Sequence, residues 1–477
     1  LSDFKDTKKT ISRWPIVRGD VFEHDCTNNY DAVISNPPYI GEKEARNLIA
    51  DALEKRPELL HAYKGKADYS FLFILLGLNA LKPGGHLAYL TPAYWPTADG
   101  AKPLRDLLEK ECKRIVIKPI KNGIYSAGGV DVLTLGLTKR LPGDQTRKTP
   151  GAMPSVWRYN EAKWQSAILD TMERCSRGLG SESGAFSIHA GVQTGGDKVT
   201  AANACYCNDK QAGCGIFVLN DDEKNVLSRM LNTHENDCIV PLLKTPDCGP
   251  FICKKSSKRW LIYLDSTCDI TMFPAIEKHL LPYKKLLERR REVRAGRMAW
   301  WRLHWPRKRE MFTQKHLLVP QRCERPRFAY VDGDAFTSVD VYHLIPKQMS
   351  DADVFGWLAI LHSLPVWFWL AYRGKRKGAL LELYHTPLST VPVPSEFDSV
   401  VWKTLCACGK DVWTKMSHLS HANNTHKPWH VQWKKYQKES DVMSHDIQDI
   451  LTCIDTIVAD AYSLTQEDLT RIRHDLA

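Results

Sequence analysis

Apolar and polar positions alternate along the first 140 residues in two different rhythms. Short apolar runs at 14–21 and 30–35 each end in polar turns, as strands do. Positions 67–81 instead carry apolar residues at helical spacing, and Lys82-Pro83-Gly84-Gly85 behind them terminates a helix well. The same pattern predicts a buried strand at 86–90, a helix at 103–111 and a β-rich run at 130–138. Strands that alternate with helices predict an α/β sheet with helices on both faces. Ligands of such sheets sit beyond the carboxyl ends of the strands.

The rhythm is lost at 141–156, where Pro142, Gly143, Pro150, Gly151 and Pro154 mark a linker. From 157 to 395 the pattern is one of short strands and many turns. From 396 to 477 it turns helical: 446–462 has apolar residues at helical spacing, and Leu464-Thr465-Gln466-Glu467-Asp468 reads as a capped helix start. No apolar run reaches the roughly 18 residues that span a bilayer. The run at 71–81 is short, and 354–371 is interrupted by Gly, His and Pro. No signal peptide is visible.

Composition sharpens this picture. At 477 residues, two or three domains are expected. The fourteen Cys are scattered, which predicts free thiols in a reducing cytoplasm rather than a disulfide framework. The net charge of +11 is concentrated: residues 284–309 hold eleven Lys/Arg against two Glu. A polyanion is the partner such a segment suits. Cys205-Tyr206-Cys207, Cys214, Cys238, Cys248 and Cys253 lack the two close pairs that structural zinc prefers, so no metal is expected there.

The chemistry lies in Asn36-Pro37-Pro38-Tyr39, directly behind Asp31-Ala32-Val33-Ile34-Ser35 and therefore at the carboxyl end of a predicted strand. Two successive prolines forbid helix and hold the backbone, so the Asn36 side-chain oxygen and the Pro37 carbonyl can face one point. An adenine amine is a poor nucleophile because its lone pair is delocalised into the ring. Two acceptors that take its two hydrogens favour a pyramidal nitrogen, which can attack a methyl sulfonium in line. Tyr39 offers a ring on which a flipped-out base can stack.

These residues resemble the catalytic half of the TaqI-like, gamma-class N(6)-adenine DNA methyltransferases, including those within type IIG restriction–modification proteins. Asn36 to Tyr39 match that family's catalytic loop in full. Sixteen residues before Asn36, Gly19-Asp20-Val21-Phe22 resembles the acidic motif whose Asp contacts the adenine of S-adenosylmethionine. Ala67-Asp68-Tyr69-Ser70-Phe71 resembles a block beside the cofactor, which assigns Asp20 and Asp68 to cofactor binding. Gly85-His86-Leu87-Ala88-Tyr89-Leu90-Thr91-Pro92 resembles the next block of the pattern. The segment from Tyr125 to Leu133 resembles the block that places an aromatic ring on the other face of the flipped base, here Tyr125.

The resemblance implies a partial Rossmann-like methyltransferase sheet, then a mixed α+β target-recognition domain and C-terminal helices. Gly191-Val192-Gln193-Thr194-Gly195-Gly196-Asp197-Lys198 resembles a block that opens such a recognition domain. Basic residues interleaved with aromatics suit phosphate neutralisation and stacking on one surface. Arg289, Arg290, Arg291, Arg294, Arg297, Trp300, Trp301, Arg302 and Arg307 are therefore DNA-binding candidates, with Arg373, Lys375 and Arg376 as a second cluster. The implied activity is site-specific methylation of adenine in double-stranded DNA with S-adenosylmethionine, in a restriction–modification or phage-defence system.

One departure stands out. The family pattern places a Gly-containing cofactor loop before its acidic motif, and the nineteen residues before Asp20 hold no strand followed by such a loop. With Leu1 at the start, the reading is that an upstream part or a second chain supplies it. Two alternatives stay open: a DNA-recognition module that transfers no methyl group, and methylation of another planar nitrogen in RNA or a glutamine side chain. DNA binding without transfer marks the first, and preferential labelling of RNA or protein the second.

Overall fold

The computed structural model describes residues 16–63, 65, 67–120, 132–144, 162–182, 184–207, 211–254, 258–377, 380–394, 396–422 and 442–476. The chain divides into two compact units, Leu1–Ala162 and Lys163–Ala477.

The first unit is built on a four-stranded sheet of β1 (Tyr30–Ser35), β2 (Leu81–Pro92), β3 (Cys112–Pro119) and β4 (Val132–Lys139), in the order β1-β2-β4-β3. β1 runs parallel to β2, with Ser35 opposite Tyr89; β4 is antiparallel to both of its neighbours. Three helices accompany the sheet: α1 (Glu42–Lys55), α2 (Tyr69–Ala80) and α3 (Lys102–Glu111). Nine of the twelve residues of α2 are buried, which explains why it is apolar on every side. Leu87 and Tyr89 of β2 and Leu133, Leu135 and Leu137 of β4 point into one core with the helices. Their strand neighbours His86, Ala88 and Thr134 are exposed, as is Ile34 of β1 at 83%. The described residues thus cover one face of the sheet, where the sequence pattern suggested helices on both. Residues 16–21 also form no strand, and β2 starts earlier than predicted because Lys82-Pro83-Gly84-Gly85 is accommodated as a shift in the β1–β2 register.

Close approach of α2 to β2 depends on Gly77. A Cβ there would collide with the Tyr89 hydroxyl and lie 2.8 Å from Leu87 Cδ1. Alanine is the better helix former by about 1 kcal/mol, yet overpacking of a core costs about 1–3 kcal/mol. Gly77→Ala is therefore expected to lower the stability of this unit by about 1–2 kcal/mol, read as a lower denaturant midpoint at unchanged slope. An unchanged or higher midpoint would show that the Tyr89 ring swings aside without cost.

The second unit combines a five-stranded sheet with a helical layer. Its strands are β5 (Phe186–Ala190), β6 (Phe251–Ile252), β7 (His316–Pro320), β8 (Ala329–Val331) and β9 (Val341–Pro346), in the order β5-β9-β7-β8-β6. The helices are α4 (Lys163–Arg174), α5 (Asp351–His362), α6 (Leu364–Tyr372), α7 (Ser399–Ala422), α8 (Val442–Ala461) and α9 (Gln466–Leu476). One large core joins Leu317 and Leu344 of the sheet to Leu358, Leu405, Val412, Ile454, Val458 and Leu469 of the helices. The start of α9 is capped as predicted, with the Asp468 N–H donating to Thr465 Oγ1 at 3.1 Å. Among the described residues no single helix is long and apolar enough to cross a membrane. The apolar run at 354–371 is two helices, α5 and α6, that meet at 54° and are buried in this core.

A second core in this unit gathers Ile216, Phe217, Leu261, Tyr283, Leu287 and Phe312 around a small sheet of Val218–Leu219, Ile239–Leu243, Trp260–Ile262 and Phe336–Thr337. It carries the basic segment.

Candidate active site

β1 and β2 are parallel, so their carboxyl ends open on the same edge of the sheet, and the Asn36–Tyr39 loop leaves the sheet there. Asn36 is exposed and Tyr39 half-buried, with Pro37 buried between them. The Tyr39 hydroxyl donates to Asn36 Oδ1 at 2.7 Å and orients the amide. A carbonyl oxygen has two lone pairs, so Asn36 Oδ1 retains one acceptor position. The loop is strapped to the start of α2 by two backbone bonds: Glu42 N–H to the Ala67 carbonyl at 3.0 Å, and Tyr69 N–H to the Ile40 carbonyl at 2.8 Å.

This strap brings Asp68 beside the loop. Asp68 is buried and caps α2, with Oδ1 accepting from the Ser70 N–H at 2.9 Å. Its Oδ2 accepts from the Tyr94 hydroxyl at 2.5 Å. Burial, reinforced by the Asp68 carboxylate, pushes the Tyr94 phenol well above the ordinary tyrosine range, so it remains a donor. The Ser70 hydroxyl is a buried group with no protein partner among the described residues. Tyr94 follows β2 directly and its contact with Asp68 spans 26 positions of sequence, so no local pattern announced it.

Asp20 reaches the same helix by another route. Its Oδ1 takes the Phe22 N–H at 3.0 Å, and Oδ2 takes Lys55 at 2.6 Å. The Lys55 bond, with the Phe22 N–H next, holds the Asp20 carboxyl below its usual range. Phe22 packs against Tyr69 and Phe73 of α2 at 5.9 and 5.1 Å between ring centroids. A carboxylate has about four acceptor sites, so the half-exposed Asp20 can still receive an amine. Tyr125 lies outside the described residues.

Residues 3–122 match the model of the Eco57I restriction-modification methylase family. This segment is a restriction–modification methylase domain. Two curated relatives extend the likeness along most of the chain. The Haemophilus influenzae type II methyltransferase M.HindII is 22% identical over 428 residues, covering 79% of each protein. M.HincII, also from Haemophilus influenzae, is 22% identical over 414 residues, covering 79% of this chain and 78% of its own. Among solved structures, the type IIL restriction-modification enzyme MmeI in complex with DNA superposes with a TM-score of 0.59 at 13% identity. That match covers 93% of this chain and 57% of MmeI, and it shows shared fold. The methylase domain and the unit behind it therefore follow one architecture, an α/β methyltransferase sheet followed by a mixed second unit.

In that second unit the basic candidates divide into two groups. Arg289, Arg291, Arg294 and Arg297 are exposed, and Arg289 lies over the Tyr206 ring at 4.0 Å. Among the described residues no acidic partner holds Arg291, Arg294 or Arg297. Lys375 and Arg376 are exposed too, Lys375 pairing with Glu382 at 3.4 Å. Trp300 and Trp301 are half-buried against the second core. Arg307 donates through Nε to the Gly191 carbonyl at 3.4 Å. The Arg302 Nε is buried with no partner among the described residues.

Two arginines turn inward and correct the sequence-based expectation. Arg373 has a side chain only 6% exposed, held by Asp170 at 2.6 Å and Glu173 at 2.8 Å on α4. Arg290 donates to the carbonyls of Leu287 at 3.1 Å, Arg302 at 2.8 Å and Thr194 at 3.3 Å, and to that of Trp300. Burial lowers its guanidinium to about 10, which leaves it charged at neutral pH. Both serve as internal struts. A basic residue in sequence does not reveal whether its partner will be a phosphate or the protein's own carbonyls.

Proposed function

We propose that this chain transfers a methyl group from S-adenosylmethionine to the exocyclic amine of adenine in duplex DNA, within a restriction–modification system. The observation that carries the reading is the loop Asn36–Tyr39, rigid, at the carboxyl end of a parallel strand, with the Asn36 amide oriented by Tyr39. The Asn36 oxygen and the Pro37 carbonyl accept the two amine hydrogens, and the Tyr39 ring supports the extruded base. The curated relatives are named type II methyltransferases, which supports the activity class.

The residues at this edge fit the adenosyl and sulfonium part of the cofactor. Asp20 has acceptor capacity for an adenine amine, Asp68 offers a buried carboxylate to a cationic centre, and the Ser70 hydroxyl is a buried polar group with no partner among the described residues. When bound, the cofactor supplies an electrophilic methyl group. The exposed Arg289, Arg291, Arg294 and Arg297, with Lys375 and Arg376, supply a phosphate-neutralising surface.

The test is transfer of labelled methyl from S-adenosylmethionine to mixed-sequence duplex DNA, followed by separation of the product nucleosides. Label in N6-methyl-2'-deoxyadenosine is the expected result. Label in cytosine, RNA or protein would overturn the substrate, and duplex binding with no transfer would turn the reading to a recognition module built on the basic surface.

A further inference from the structure

The arginine-rich segment and the glycine-containing loop at 191–198 are tied into one frame, and the frame presents two side chains that none of the contacts above employs. The Gln193 N–H donates to the Trp305 carbonyl at 3.0 Å, and the Trp305 N–H returns to the Gln193 carbonyl at 2.8 Å. The His304 N–H adds a bond to the Thr194 carbonyl at 3.2 Å. Arg290 locks both strands from behind through the Thr194, Arg302 and Trp300 carbonyls. Gly195 is required where Arg290 passes. Its φ is +76°, and a Cβ there would lie 3.1 Å from both Arg290 Nη1 and His304 Cβ.

Residues paired across one antiparallel bridge project from the same face. That places the Gln193 amide beside the Trp305 indole. Trp305 is 51% exposed, unusual for so large an apolar ring, and its inner face stacks on His304 at 5.5 Å and 19°. The Gln193 amide is half-buried and has no hydrogen-bond partner among the described residues. A free two-way amide and a free aromatic face on a rigid loop, flanked by Arg302 and Arg307, match what base recognition needs. An amide can take both the N6 amine and N7 of adenine in the major groove, and an indole can stack on a base or pack against a thymine methyl.

We propose that Gln193 and Trp305 are a base-reading pair that sets sequence preference at one or two positions of the bound duplex, while the exposed arginines hold phosphates. This rests on the duplex-DNA reading above. It differs in kind from the arginine contacts, because phosphate contacts position a protein and base contacts specify.

The experiment selects duplexes from a randomised library with the full chain and sequences the bound fraction. It compares the native protein with Gln193→Ala, Trp305→Ala and Trp305→Phe, each first checked for an unchanged thermal unfolding curve. The native chain is expected to enrich a motif. Gln193→Ala should relax one position of it, with roughly a 10- to 100-fold loss of discrimination there. Trp305→Ala should weaken binding to the selected duplex by roughly 10-fold or more, and Trp305→Phe should restore most of that loss. Weaker binding that affects every sequence equally in all three variants overturns the proposal, as does an unchanged motif and affinity. Binding with no motif in the native chain also overturns it but leaves the duplex-DNA reading standing. No binding of duplex at all removes both.

Discussion

Asn36→Ala is expected to lower methyl transfer on the order of 10²- to 10³-fold while the protein stays folded and DNA affinity stays within a few fold. The amide side chain is exposed, so its loss removes no core packing, and surface substitutions of that kind usually change stability by about 0.5 kcal/mol or less. On the proposed reading its acceptor oxygen faces the position where the attacking nitrogen loses its planarity, so the expected loss is one of transition-state stabilisation rather than binding. Tyr39→Phe provides the contrast. It keeps the ring and removes only the hydroxyl that orients Asn36 at 2.7 Å, so a loss of about 10-fold or less is expected. A single-turnover assay under saturating DNA separates the two variants. Equal rates in the native protein and Asn36→Ala would show that the loop is only a turn.

The second large effect is acid lability of the second unit. His316 and His343 are fully buried neighbours, with His343 Nδ1 and His316 Nε2 2.8 Å apart. The Gln314 carbonyl, 2.7 Å from His316 Nδ1, can only accept, so Nδ1 carries the proton and Nε2 accepts from His343. His343 Nε2 then accepts from the Thr337 hydroxyl at 2.6 Å. A proton added at His316 Nε2 would face the His343 Nδ1–H directly. Burial lowers His316 to about 4 and His343 well below the ordinary histidine range, with His316, His189 and Arg307 adding to the depression at His343. His362, stacked on Phe251 at 4.1 Å, is also lowered to about 4 by burial.

A histidine whose folded pKa is depressed contributes stability that is complete above the unfolded value near 6.5 and is lost as pH falls toward 4. For His316 alone the loss is on the order of 3 kcal/mol. Asp455 acts in the opposite direction: burial raises it to about 6, so its contribution grows as pH falls below that value. Three histidines against one carboxyl leave a net loss of several kcal/mol between pH 6.5 and 4. Urea unfolding at pH 7, 5.5 and 4.5 is expected to show it, with a shallower pH slope in a His316→Gln, His343→Gln double variant. The same slope in the native and variant proteins would place the acid sensitivity elsewhere.

Legibility in the sequence followed local constraint. β1 and the loop behind it could be read because an apolar run and two prolines define them without reference to the rest of the fold. α2 could be read because an almost wholly apolar helical run that stops shortly before Lys82-Pro83-Gly84-Gly85 has few alternatives. β3 was missed: Lys113, Arg114 and Lys118 interrupt its alternation, and it is held by antiparallel pairing with β4, which no pattern within 112–119 announces. α1 was missed because two of its three buried positions, Ala45 and Ala52, are small and give a weak apolar stripe around Ile49. At the site, the Asn36 loop was evident, whereas the Tyr94–Asp68 contact comes from tertiary packing. The arginines illustrate the same limit. Composition identified the basic segment, but only packing distinguishes Arg290 and Arg373 from Arg291 and Arg294.

The way the 191–198 loop is fastened also bears on how this protein can change over time. Its frame is made of main-chain bonds and of one arginine that grips main-chain oxygens. Neither depends on which side chain stands at 193 or 305. Substitutions at those two positions can therefore be sampled by drift or selection without dismantling the scaffold that displays them. A lineage that must keep altering what it recognises, while keeping a constant methyl-transfer chemistry in a separate unit, gains from that separation of support and display.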